Sequence, residues 1–123
     1  MHHVYNSLSL KEVFFCIVDV LCQDQNGRQY IIEMQVARRK GFESRAQYYA
    51  AKAYTSQINK GGLYEKLKEV VYIAILDYEV FPKKRHYKSN HTIRDDIANE
   101  RDLDGLRFVF VELQRFDKRL EEL

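Results

Sequence analysis

The tightest constraint on this chain is the turn Asp24-Gln25-Asn26-Gly27, which separates two β-branched and aromatic runs, Val13 to Gln23 and Arg28 to Val36. Two such runs about a turn signal read as a hairpin. The turn type then decides the register. A two-residue turn on Asn26-Gly27 pairs Gln25 with Arg28 and sets Glu33 opposite Val20. A type I turn over all four residues, with Gly27 as the left-handed bulge residue, pairs Asp24 with Arg28 and sets Asp19 opposite Glu33. Asp at the first turn position and Gly at the fourth favour the second option. It also sorts the strands by face: Val18, Val20, Cys22, Tyr30, Ile32, Met34 and Val36 share one, while Asp19, Glu33 and Gln35 share the other with Ile17, Leu21 and Ile31. Ile32, Met34 and Val36 are expected to face the core.

Beyond Gly41, the segment FESRAQYYAAKAYTSQINKGG is rich in helix formers, with Phe42, Ala46, Tyr49, Ala50 and Ala53 at helical spacing. The Gly61-Gly62 pair is the expected C-cap. Glu69 to Phe81 is a near-continuous apolar run, expected as a strand buried on both faces. The polar stretch from Pro82 to Gly105 has turn or weak helical character, Leu106 to Leu113 reads as a further strand, and Phe116 to Leu123 as the start of a helix. The order strand, strand, helix, strand, strand predicts an α/β or α+β sheet with at least one parallel pair. With one proline, no repeats and 46% hydrophobic residues in 123, a single domain is expected.

The chain has no apolar run of about 18 residues and no signal-peptide pattern, so no membrane partner is expected. Met1-His2-His3 carries no argument. Cys16 and Cys22 lie roughly 20 Å apart along one strand at about 3.3 Å per residue, too far to pair. Free thiols without a disulfide framework suggest a reducing cytoplasm. The net charge of +2 is small, but its distribution is uneven. Arg38, Arg39, Lys40, Arg45, Lys52 and Lys60 face a single acid, Glu43, and Lys83, Lys84, Arg85, Lys88 and Arg94 form an acid-free segment. They read equally as solvated surface or as a polyanion footprint.

Directly opposed carboxylates have Cβ atoms about 5 Å apart and destabilise a sheet unless a cation or proton intervenes. One answer is Mg²⁺, which takes one or two carboxylates plus substrate oxygens and activates water at a phosphate. The other is internal pairing, with Glu33 meeting Arg45 or Lys52 of the following helix. His86 and His91 lack zinc-ligand spacing.

The stretches VDVLCQDQNGRQYIIEMQ and RAQYYAAKAYTSQINKGGLYEKLKEVVYIAILDYEVF, and more loosely VFVELQRF, resemble the PD-(D/E)xK nuclease family transposases, related to recombination-promoting nucleases. The resemblance implies a restriction-endonuclease-like α/β fold, a mixed central sheet with flanking helices, and cleavage of DNA phosphodiesters with Mg²⁺ or Mn²⁺. By position it makes Asp19 and Glu33 metal ligands, gives Met34 a ligand role through its backbone carbonyl, and puts Gln35 where the wider superfamily has lysine. An amide orients water but supplies no positive charge. Arg45, Gln47 and Tyr49 match helix positions that support the site or the DNA backbone. Phosphate contacts are expected from Arg38, Arg39, Lys40, Lys83, Lys84, Arg85 and Lys88. Family members usually carry a helical region with a further acid before the hairpin, and a longer helical tail. Here 18 residues precede Asp19, with Glu12 the only acid among them. Residues 1–123 are therefore expected to form one nuclease-like domain lacking part of both. A homodimer or a partner chain supplies the missing helices on that reading, and a silent DNA-binding remnant is the alternative.

Overall fold

A computed structural model describes residues 18–58, 61–83 and 86–115. The hairpin turn closes through Asp24, whose Oδ1 accepts from the Asn26 N–H at 2.9 Å and the Arg28 N–H at 3.0 Å. Its own N–H donates to the Arg28 carbonyl at 2.9 Å, and its carbonyl accepts from the Gly27 N–H at 3.0 Å. Gly27 has φ 89°, the left-handed conformation that a bulge residue needs. Desolvation pushes the Asp24 carboxyl up, while the Asn26 and Arg28 N–H groups, the Tyr30 hydroxyl and the Arg28 charge outweigh it and hold it below the usual aspartate value. The four-residue turn thus sets the register of β1 (Val18–Gln23) on β2 (Gln29–Gln35), with Asp19 opposite Glu33.

Helix α1 (Phe42–Thr55) crosses from β2 to β3 (Val70–Leu76), after a short 3-10 turn at Tyr64–Lys66. β4 (Lys88–Ile93) and β5 (Leu103–Glu112) complete a sheet of order β1-β2-β3-β5-β4. β2, β3 and β5 run parallel, and the two outer strands are antiparallel to their neighbours. Phe42, Ala46 and Ala50 form the buried stripe of α1, four residues apart as a helix requires. The alanines let the helix approach closely, and Phe42 meets Phe110 edge-on with ring centroids 6.1 Å apart. Full burial of a Phe of this kind contributes roughly 1.5–3 kcal/mol. Tyr72, Ala74, Leu76 and Ile31 complete the core beneath it.

Three expectations are corrected. The buried face of β2 is the polar one: Glu33 is 0% exposed and Gln35 3%, whereas Met34 is 41% exposed, Val36 54%, and Ile32 half-buried. The handedness of the strand–helix–strand crossover fixes which face the helix covers, and polar residues under it are tolerated once bonded. Secondly, α1 ends at Thr55 with Ser56 as its cap, well before Gly61, whose φ of 88° serves the following loop. Thirdly, the polar stretch after Pro82 contains β4, which among the described residues is an edge strand paired to β5 alone. Cys22 is a free, half-buried thiol. Residues 13–17 of the expected first strand, Cys16 included, Lys60, Lys84, Arg85 and the tail helix lie outside the described residues. Among the described residues no helix is long and apolar enough to cross a membrane.

Candidate active site

The C-terminal ends of β2, β3 and β5 meet at one rim of the sheet, where Gln35, Leu76 and Glu112 are in register. One row back stand Asp19, Glu33, Ala74 and Phe110. Ala74 presents little bulk beside Glu33. That leaves the neighbouring Tyr72 room to donate its hydroxyl to Glu33 Oε2. From α1 above, the Arg45 guanidinium reaches Glu33 Oε1 at 2.9 Å, and Gln35 Nε2 donates to the same oxygen at 3.0 Å. Arg45 in turn lies 5.0 Å from the Tyr49 ring centroid, a cation–π contact that fixes its direction.

Gln35 is oriented from its other end by Tyr78, whose hydroxyl donates to Oε1 at 3.3 Å. Burial pushes the Tyr78 hydroxyl above its ordinary value; Glu43 and Glu33 add to the shift, and Arg38 and Arg39 oppose it.

Backbone direction matters as much as side chains here. The Gln35 carbonyl accepts from the Asp77 N–H at 2.9 Å, and the Gln29 N–H donates to the Glu69 carbonyl at 3.0 Å, so the odd-numbered residues of β2 bond toward β3. By alternation Met34 directs its carbonyl toward β1, the side on which Asp19 lies. It follows that Asp19 and Glu33 form a non-hydrogen-bonded pair, the closer of the two antiparallel pair types, with Cα atoms about 4.5 Å apart. The oxygens offered here are the Glu33 carboxylate and the Met34 carbonyl, with the Asp19 backbone opposite, while Gln35 turns its amide nitrogen to Glu33 and its oxygen to Tyr78. Such hard ligands fit Mg²⁺ or Mn²⁺. Among the described residues, no group of three His, Cys, Asp or Glu side chains gathers as a metal site, and the Asp19 side chain is outside that set.

The other expected residues are spread more widely. Arg39 and Lys40 are exposed beside an open cleft of about 410 Å³ that Arg38, Glu43 and Ser44 also border. Arg38 donates to the Glu79 carbonyl at 3.1 Å. Gln47 is exposed and donates back to the Glu43 carbonyl at 3.2 Å. Lys83 is exposed in the turn after Pro82. Lys88 pairs with Val111, which puts it on the sheet face away from Glu33.

Sequence reasoning missed Tyr72, Tyr78 and Glu112. Glu112 is 0% exposed; its Oε2 accepts the N–H groups of Val80 at 2.7 Å and Phe81 at 3.2 Å, and its Oε1 accepts from Arg115 Nε at 3.3 Å. A signal was present, since Glu112-Leu113-Gln114 repeats the spacing of Glu33-Met34-Gln35.

No curated protein and no solved structure matches the chain. The mixed five-stranded sheet with its crossover helix is consistent with the restriction-endonuclease-like architecture. The family model described as PD-(D/E)XK nuclease family transposase matches residues 6–123. The chain therefore belongs to the PD-(D/E)XK nuclease family transposases, a group whose function is of the nuclease or transposase type.

Proposed function

We propose that the protein is a metal-dependent DNA endonuclease of the transposase or recombination-promoting type, with residues 1–123 as one nuclease domain. The observation that carries this reading is the close pairing of Asp19 with Glu33 on adjacent strands, beside a Gln35 buried under α1. PD-(D/E)XK nucleases generally use divalent metal ions. Asp19, Glu33 and the Met34 carbonyl would hold Mg²⁺ or Mn²⁺, which when bound lowers the pKa of water and offsets charge on the phosphate.

The chain's own groups have separate tasks. Tyr72 and Arg45 hold the Glu33 carboxylate in one orientation, and Arg45 offsets part of the negative charge that two neighbouring carboxylates create. Gln35, held between Glu33 and Tyr78, presents an amide to orient the attacking water. It brings no cation, so Arg45 is the nearest positive charge to Glu33 in the site. Arg38, Arg39 and Lys40 guide the DNA backbone toward the rim, with Lys83, Lys84, Arg85, Lys88 and Gln47 as outer contacts. Phosphate contacts of this sort make binding fall steeply with salt.

A second reading, a DNA-binding domain without cleavage, is favoured by one feature. Glu33 already has its charge met by Arg45 and its oxygens bonded by Gln35 and Tyr72. Supercoiled plasmid incubated with Mg²⁺ or Mn²⁺ separates the two. The endonuclease nicks it, and Asp19→Asn and Glu33→Gln abolish nicking while keeping the fold. Salt-sensitive binding with no nicking at either metal leaves the second reading standing alone.

A further inference from the structure

Helix α1 packs over β3 and part of β5, and among the described residues it leaves the rest of β5 and β4 open on the same face of the sheet. The opening is a pocket of about 270 Å³ whose floor includes Phe81, His91, Phe108 and Phe110 and whose helix wall includes Glu43 and Gln47. Its rings are set at angles to one another. Phe81 meets Phe110 at 80° with centroids 5.1 Å apart, and His91 meets Phe110 at 84° and 5.5 Å. Phe81 and His91 lie 5.1 Å apart at 42°. Such a corner offers both ring faces and ring edges to a flat guest. Its volume admits a planar ring system.

The neighbourhood says what kind of guest. Glu43 borders this pocket and also the cleft of Arg38, Arg39 and Lys40, so an aromatic recess and a cationic track meet at a single carboxylate. An unpaired stretch of nucleic acid has the matching parts: a phosphate chain for the track and a planar base for the recess. Base–aromatic stacking contributes to single-strand binding with every base. A carboxylate at the mouth adds selectivity, because it accepts from an exocyclic amino group and repels a carbonyl edge.

We propose that this pocket receives one unpaired nucleobase of the DNA substrate, stacked against Phe81 and His91, with Glu43 selecting bases that carry an amino group. The inference rests on DNA being the substrate, as proposed above, and concerns a place on the opposite flank of α1 from Glu33.

The test is fluorescence anisotropy with short single-stranded oligo-dC and oligo-dT in EDTA, where metal-dependent cleavage does not proceed. Oligo-dC is expected to bind about tenfold more tightly than oligo-dT, the size of one modest contact. Phe81→Leu weakens binding of both about tenfold, and Glu43→Gln removes the dC preference as dT binding, no longer repelled by the carboxylate, rises toward that of dC. Glu43→Gln carries the test by itself if circular dichroism shows Phe81→Leu to be unfolded. Equal binding of dC and dT by the wild type, or variants that bind as the wild type does, overturns the pocket. So does self-association abolished by Phe81→Leu without oligonucleotide binding, since the guest would then be a second copy. Plasmid nicking with Mg²⁺, run in parallel, keeps the two proposals apart. Nicking without base preference removes only the pocket, and base preference without nicking removes only the endonuclease.

Discussion

Glu33 and Glu112 lie toward the same end of the sheet, one row apart and in the same local spelling, yet their partners differ in kind. Both are fully buried. Glu112 is held by two backbone N–H groups of the segment after β3 and by Arg115, which is 12% exposed and also pairs with Glu79. Glu33 has side chains as its described partners: Arg45, Gln35 and Tyr72. Backbone donors cannot turn away, so Glu112 is part of the frame that carries Tyr78 and Phe81. Side-chain donors can rearrange around an incoming group, which the role proposed for Glu33 requires and the setting of Glu112 does not offer. The second glutamines follow suit. Gln35 turns back onto Glu33, whereas Gln114 donates to the Asp77 carbonyl at 3.0 Å and ties down the same segment as Glu112.

The contrast breaks most sharply on Glu112→Ala. It takes the acceptor from the Val80 and Phe81 N–H groups and one of its carboxylate partners from Arg115, with an expected loss of about 2–5 kcal/mol in a denaturant melt. A loss below about 1 kcal/mol would mean that Glu112 is no frame. Glu33→Gln keeps the shape and one acceptor oxygen but puts a donating NH2 where Tyr72 donates and removes the charge that Arg45 meets. A stability loss of about 1–2 kcal/mol is therefore expected, smaller than for Glu112→Ala, while plasmid nicking falls at least about 100-fold. Unchanged nicking would put Glu33 on the structural side with Glu112. Tyr78→Phe removes one hydrogen bond to Gln35, and a fall in nicking of about tenfold, the scale of one such bond, with an unaltered melt, is expected. Loss of stability in place of activity would move Tyr78 into the frame.

The smallest effect concerns a third carboxylate, at the far end of β3. Glu69 pairs with Arg28 at 3.1 Å and Arg107 at 3.3 Å, and also with Arg101. Burial pushes its carboxyl up, but the hydrogen bonds and charges of Arg101 and Arg107 outweigh that and leave it below the ordinary glutamate value. A depressed carboxyl contributes stability above its unfolded pKa and loses it as pH falls through the folded value. Melting midpoints should therefore decline as pH drops below the usual glutamate range, and Glu69→Gln should flatten that decline. Identical acid profiles for the two proteins would show that the arginines do not act through Glu69.

Much of this was legible in the chain. Asp24 and Gly27 contained the hairpin register, and with it the Asp19–Glu33 pairing, because turn geometry is local. The face of β2 that goes inward was not, because burial depends on where the crossover helix lies. Apolar Met34 and Val36 look like core residues until Arg45 and Tyr72 are known to satisfy Glu33 from elsewhere in the chain. β4 was hidden by its polarity, as Lys88, Ser89 and Asn90 need only a single partner strand and solvent. Only the alternation of Ser89 and His91 toward one face could have suggested it. The early stop of α1 was signalled faintly by Thr55 and Ser56, whose side chains both bond the Lys52 carbonyl, at 3.1 and 2.7 Å. The carboxylates of the candidate site were found from spacing, while its hydroxyls were not, since Tyr72 and Tyr78 arrive by tertiary contact.

Among the described residues β1 is the outermost strand, held by β2 alone. Peeling it away would separate Asp19 from Glu33 and leave four paired strands with α1 still seated on them. Such a sub-global opening costs less than unfolding the whole sheet. The candidate site can thus be dismantled and rebuilt by the zipping of six residues, and amide hydrogens of Val18 to Gln23 should exchange well before those of Val70 to Leu76.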